Sequence, residues 1–241
     1  AVPVTMSGLE GLQNAGTERI IDLMEGRIGV AEATMENLIQ SGLYSDGTDA
    51  NAIDGLQKIC QPDPSVAGTY GTIDQEEWAF WRNASQQYTD DTDILTNMNL
   101  LWADLQRGAD MTDLIIGDSA FWTTYVGILQ AQQRFTTADE GEFGFPTVKF
   151  MSSDVVLDGG IYFPSRASLD NDPSNGGSQP AGSAYFLNSK YMSYRPHRAR
   201  NMVPLSPEKR YAVNQDAEVQ ILAWAGNLTC SGRRMQGLLH I

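Results

Sequence analysis

Residues 38–56, LIQSGLYSDGTDANAIDGL, decide how this 241-residue chain is read. Leu38 and Ile39 end an apolar stripe, Ser41-Gly42 stops it, and Leu43-Tyr44-Ser45-Asp46-Gly47-Thr48 is dense in turn formers before Ile53-Asp54-Gly55-Leu56 resumes. Gly42 suits the left-handed position just past a helix end, where a Cβ would be penalised. Upstream, Leu9, Leu12, Ile20, Leu23, Met24, Ile28, Ala31 and Met35 recur at threes and fours, while Glu18, Asp22, Glu25, Glu32 and Glu36 mostly take the remaining faces. That period predicts one helix from about Met6 to Ser41, a rod of roughly 54 Å at ~1.5 Å per residue. It holds Gly8, Gly11, Gly16, Gly26 and Gly29, each costing up to about 1 kcal/mol relative to alanine in a helix. Close approach of another backbone would offset that cost, so the rod is expected to lie against a sheet.

Downstream, Gln61-Pro62-Asp63-Pro64 is a proline-punctuated loop. A short helix is predicted over Ile73–Asn83, capped by Thr72 or Asp74, with Trp78 and Trp81 three apart on one face and read as core. A second helix is predicted from Asp91 to Arg107, with Leu95, Met98, Leu101, Trp102 and Leu105 as its stripe and Gly108 beyond its end. Leu114-Ile115-Ile116 reads as a strand, and Ser119 opens a third helix through Phe121, Trp122, Tyr125, Ile128 and Leu129. Val148–Met151, Val155–Leu157, Ala184–Leu187, Tyr191–Tyr194, Ala217–Trp224 and Met235–Ile241 read as strands. Ser165–Gly182 lacks periodicity and reads as a long surface loop. No internal repeat is present. One long helix, a mixed middle and a run of strands is an α+β order rather than a βαβ array.

The chain is 41% hydrophobic and carries 30 acidic against 16 basic side chains, a net of −14. At this length roughly 70% of the unfolded surface can be buried, which excludes disorder as the main state. No apolar run approaches the ~20 residues of a membrane span, and Ala1 follows no leader pattern. Cys60 and Cys230 make no disulfide framework, so the sequons at Asn83 and Asn227 are read as chance matches. A sequence starting at Ala1 without a methionine reads as processed or as a fragment. The charge is uneven: residues 1–145 hold 23 acidic and 6 basic side chains, and residues 146–241 hold 7 and 10. The acidic part opposes wrapping of nucleic acid. Lys190, Arg195, Arg198, Arg200, Lys209 and Arg210, with His197 beside them and Glu208 against them, form a basic segment. It reads either as a solvated loop or as a site for an acidic partner, a neighbouring copy or nucleic acid.

Chemistry finds little support. His197 and His240 are the only histidines; the first sits in a cationic segment and the second is next to last, so neither serves a nucleophilic triad. HExxH, CxxC, GxxxxGK[ST] and GxGxxG are all absent. Acidic clusters stand at Asp90, Asp91 and Asp93 and at Asp139, Glu140 and Glu142. A glycosidase or metal site needs carboxylates converging in space, and the first cluster reads as first-turn acids complementing a helix dipole. No catalytic, cofactor or metal residue is assigned.

Taken together the segments resemble tailed-bacteriophage major capsid proteins of the Hong Kong 97 fold. The resemblance rests on the long helix, Gly42 through Thr48, Ile53 through Leu56, Asp113-Leu114-Ile115-Ile116, Gln132-Gln133-Arg134-Phe135, Val148-Lys149-Phe150 and Val155-Val156-Leu157-Asp158. It continues through Tyr185–Asn188, Arg195-Pro196-His197 and Gln215–Ala217 to Trp224–Thr229. It implies a spine helix packed on a peripheral sheet, residues 1–56 with 201–241, and a mixed axial domain, residues 57–200. It implies a non-enzymatic protein that self-assembles as pentamers and hexamers into an icosahedral shell around double-stranded DNA. Further partners implied are a portal and scaffold or decoration proteins, with no membrane, no cofactor and no sequence-specific DNA contact. The setting implied is the virion, with assembly in the host cytoplasm. The family's N-terminal arm and extended hairpin precede the spine helix, and here the spine is expected almost at Ala1. Arg195, His197, Arg198 and Arg200 are expected to meet acidic surface on a neighbouring copy, either Asp90, Asp91 and Asp93 or Glu76 and Glu77. An encapsulin-like compartment packaging protein, and an acidic hydrolase using paired aspartates, are the alternatives.

Overall fold

The computed structural model describes residues 1–13, 23–49, 51–131, 148–158, 182–205, 210–211 and 216–241. The elements begin β1 (Val2–Ser7), α1 (Gly8–Gln13), α2 (Leu23–Leu43), α3 (Leu56–Ile59), β2 (Thr69–Tyr70), β3 (Ile73–Asp74) and β4 (Ala84–Gln87). Then come α4 (Ile94–Leu105), β5 (Leu114–Gly117), α5 (Ser119–Ala131), β6 (Val148–Phe150), β7 (Ser153–Leu157) and β8 (Ala184–Leu187). The remaining strands are β9 (Met192–Pro196), β10 (Val203–Pro204), β11 (Arg210–Tyr211), β12 (Ala217–Ala223), β13 (Gly226–Cys230) and β14 (Gly237–His240). The chain is α+β. It divides into two units, Ala1–Ser41 with Tyr194–Asn227 and Gly42–Ser193 with Leu228–Ile241. Leu228–Ile241 falls in the larger unit because it carries β14, an inner strand of that unit's sheet.

In the smaller unit, β12 is flanked by β1 and β10 and also pairs with β11. β1 runs antiparallel to β12 from Val2 opposite Leu222 to Ser7 opposite Ala217. Val4 and Leu222 meet Ala31 and Met35 of α2 in a small core, with Val2, Ile39, Met202 and Trp224 packed around it. The helix therefore lies on a sheet, as expected, but it does not start at Met6. Val2, Val4 and Met6 alternate with Pro3, Thr5 and Ser7, and this period of two places one face of β1 on the helix. The Arg27 guanidinium donates to both Glu10 carboxylate oxygens, at 2.8 and 3.1 Å, tying α1 to α2. Gly16 and the neighbouring stripe residues lie outside the described residues. Close backbone approach explains neither Gly26 nor Gly29, since a Cβ at either would meet nothing within 4 Å.

Gly42 is also not a left-handed cap. Helix α2 runs to Leu43, and a Cβ on Gly42 would come within 2.7 Å of Ile53 Cδ1. The left-handed residue is Gly47, at φ 69°, inside a turn where Gly47 N donates to Ser45 Oγ and Thr48 N to Asp46 Oδ1. Gly55 marks a close backbone approach: a Cβ there would stand 2.5 Å from the backbone N and O of Ser45.

The larger unit is built on a six-stranded mixed sheet in the order β4-β14-β8-β5-β7-β6. β14 runs parallel to β4 and antiparallel to β8, and β5 runs antiparallel to β8 and parallel to β7. All four residues of β8 are buried, as an inner strand covered on both faces requires. Ile94, Met98, Leu101 and Leu105 of α4 and Phe121 and Tyr125 of α5 pack with Ile115, Val155, Phe186 and Leu239 into the main core. Asp118 starts α5 by accepting from Phe121 N at 2.7 Å, and its other oxygen accepts from Gly182 N at 2.8 Å. The helix expected over Ile73–Asn83 is instead the β2–β3 hairpin, a turn and one 3-10 turn at Ala79–Trp81. Left-handed backbone at Gly71 (φ 61°) and Thr72 (φ 67°) makes the hairpin and excludes a helix there. Gln132–Phe135, Asp139, Glu140, Glu142 and most of the 165–182 segment lie outside the described residues.

Candidate assembly surfaces

The basic segment is held in a fixed turn. After β9, His197 N donates to Ala225 O at 2.8 Å, Arg200 N to His197 O at 2.9 Å, and Ala225 N to Arg200 O at 2.8 Å. The His197 ring takes part as well, with Nδ1 accepting from Ala199 N at 3.2 Å. This clasp leaves the Arg195, Arg198 and Arg200 side chains exposed. Beside them, Tyr194 stacks on Trp224 with ring centroids 5.8 Å apart. Lys190 is paired within the larger unit. It donates to Asp110 at 2.6 Å, and that hydrogen bond, with one from Tyr191, holds the Asp110 carboxyl below the usual carboxylate range. Lys209 is outside the described residues.

The two acidic patches differ in kind. Asp90, Asp91 and Asp93 are exposed just ahead of α4, where their charge faces the helix N-terminus, although Asp93 makes no side-chain cap bond. Glu76 and Glu77 are exposed on a loop whose backbone is tied down. Asp74 Oδ1 accepts from Glu76 N at 2.9 Å and from Gly68 N at 3.2 Å, bonds that hold its carboxyl below the ordinary range. Arg82 donates to Gln75 O at 2.8 Å and to Glu76 O at 2.9 Å. Trp78 N donates to Asp74 O at 3.0 Å, and Trp81 N to Trp78 O at 3.0 Å. Trp78 is not a core residue as expected: it is 49% exposed and its neighbour Phe80 62% exposed.

Inside the larger unit Arg233 is fully buried. Its Nε donates to Ile59 O at 2.6 Å and its Nη2 to Lys58 O at 3.1 Å, and its guanidinium lies 6.0 Å from the Tyr70 ring centre. Burial lowers its basicity and pushes the Cys60 and Cys230 thiols up, the reverse of an activated nucleophile. Among the described residues no three His, Cys, Asp or Glu side chains are placed to hold a metal ion. No helix among them is long and apolar enough to cross a membrane.

No protein-family model and no curated protein matches this chain. Solved structures do. The capsid of the native GTA particle, computed with C5 symmetry, is matched over 100% of this chain and 71% of that one, at a TM-score of 0.57 and 11% identity. The capsid of the empty GTA particle is matched over the same shares at 0.56 and 12%. The chain has the Hong Kong 97-type shell fold. The encapsulin of the holo-SrpI complex from Synechococcus elongatus PCC 7942 shares it, over 99% of this chain and 71% of that one, at a TM-score of 0.55 and 5% identity. At such identities the fold is common while side chains have diverged.

Proposed function

We propose that this chain is a major capsid protein, a non-catalytic subunit that associates as pentamers and hexamers into an icosahedral shell around double-stranded DNA. The observation that carries the reading is the match of essentially the whole chain to two capsid subunits. In this reading the smaller unit is the peripheral domain and the larger unit the axial domain. The virion is the protein's setting and the host cytoplasm its place of assembly, and portal and scaffold or decoration proteins are its further partners. A net charge of −14 fits enclosure of DNA better than adhesion to it, because like charges repel. Contacts between copies then hold the shell. Exposed Arg195, Arg198 and Arg200, with His197 in the same turn, are the cationic side of one such contact, and exposed carboxylates on the next copy are the other.

The encapsulin match at a TM-score of 0.55 favours a second reading, a compartment that encloses protein. The contents of the particle separate the two. Particles purified from producing cells, treated with nuclease and then opened, should release protected double-stranded DNA. Particles that instead release a stoichiometric protein and no DNA would replace the capsid reading with the compartment.

A further inference from the structure

The loop carrying Glu76 and Glu77 has a feature that the fold of one copy does not use. Trp78 and Phe80 are both largely exposed and touch each other edge to face, with centroids 5.8 Å apart. Phe80 meets Trp81 at 6.4 Å, and Trp81 stacks on Tyr70 at 6.4 Å with its Nε1 donating to Tyr70 O at 3.0 Å. Tyr70 is buried, with the Arg233 guanidinium 6.0 Å from its ring centre. An aromatic ladder thus climbs from a buried arginine to two exposed rings, on a backbone fixed by Asp74 and Arg82. Ordering costs on binding are small for a surface already fixed in this way. Exposed tryptophan on a rigid loop is the composition of an interface hot spot.

We infer that this tip, Glu76-Glu77-Trp78 with Phe80, docks on the Arg195–Arg200 turn of a second copy of the chain. Charge complementarity selects that occupant. Among the described residues, Glu76 and Glu77 have no ion-pair partner, and neither do Arg195, Arg198 and Arg200. Guanidinium groups suit both halves of the tip, pairing with carboxylates and lying against indole and phenyl faces. The Asp90–Asp93 patch offers charge without aromatic surface, so the tip is the better fit of the two acidic patches. Two unlike surfaces, one on each copy, make a heterologous contact, which repeats around a ring when the rotation closes. The inference rests on the self-assembly reading and adds to it the side chains that meet.

Sedimentation velocity on the purified full chain tests it, using Glu76→Arg with Glu77→Arg, Arg198→Glu with Arg200→Glu, and Trp78→Ala with Phe80→Ala. All six positions are exposed, and near-ultraviolet circular dichroism verifies that each double variant is folded. Each should weaken self-association at least tenfold, and the chain carrying both charge reversals should regain at least a third of the lost affinity. Wild-type association in the aromatic or either charge variant, or no recovery in the combined swap, overturns the inference, as does a wild-type chain that stays monomeric. Shells that still form in the tip variants would overturn this contact alone and leave the shell reading intact.

Discussion

Arg233 Nε donates to the carbonyl oxygen of Ile59 at 2.6 Å, with both residues fully buried. The bond joins the segment before β14 to the end of α3, 174 residues apart in sequence. The same guanidinium lies 6.0 Å from the Tyr70 ring centre, at the base of the aromatic ladder. Arg233→Ala would leave the Ile59 and Lys58 carbonyls without their donor and open a void. Losing such a buried charged donor costs about 2–4 kcal/mol, so the urea midpoint should fall markedly at unchanged slope. Arg233→Lys should rescue less than half of the loss, since an ammonium cannot reproduce the planar fork.

Glycine substitutions should separate by position. At Gly55 a Cβ meets Ser45 backbone at 2.5 Å and Leu43 O at 2.7 Å, so Gly55→Ala should destabilise by more than about 2 kcal/mol. At Gly42 the obstacle is the flexible end of Ile53, and the loss should be smaller. Gly26→Ala and Gly29→Ala meet nothing and should each stabilise by about 0.5–1 kcal/mol. Denaturant unfolding of the four variants gives the order.

Asp118 bridges Phe121 N and Gly182 N through its two oxygens while itself buried. Asp118→Ala removes a helix cap and leaves both donors buried, at a cost of about 1–3 kcal/mol. Hydrogen exchange should show the loss of protection at Phe121 and Gly182 together. Loss at one without the other would disprove the bridge.

Acid should loosen the tip before it unfolds the core. The Asp74 carboxyl is held below its ordinary range by the backbone N–H groups of Glu76 and Gly68. A depressed folded pKa means that its stabilising effect is complete above the unfolded value near 4 and is lost as pH falls through the folded pKa. Trp fluorescence should therefore change below about pH 4, ahead of far-ultraviolet circular dichroism. In Asp74→Asn this early step should be absent.

Much of the larger unit could be read from sequence, because its elements carry their own period. The stripe Met98, Leu101, Leu105 and the run Leu114-Ile115-Ile116 emerged as α4 and β5, and Ala184–Leu187 as β8 within its expected bounds. Misreadings arose where two periods overlapped. Val2, Val4 and Met6 alternate as a strand, yet Met6 also continues the helical stripe through Leu9, and pairing with β12 decides for the strand. Trp78 and Trp81 fit a helical face, but Ile73-Asp74 pair with Thr69-Tyr70 across the left-handed turn at Gly71-Thr72, and only one 3-10 turn follows. Gly47, not Gly42, carries the left-handed turn, since a glycine in sequence does not reveal whether it serves conformation or close approach. The basic turn was visible as charge. Its aromatic counterpart was not, because an exposed tryptophan and a core tryptophan look alike in one sequence.

Electron microscopy of the protein purified from producing cells tests the shell reading most directly. The account predicts closed shells of uniform diameter, or five- and six-membered rings, at native concentration. A homogeneous monomer under assembly conditions, with neither rings nor shells, would contradict it.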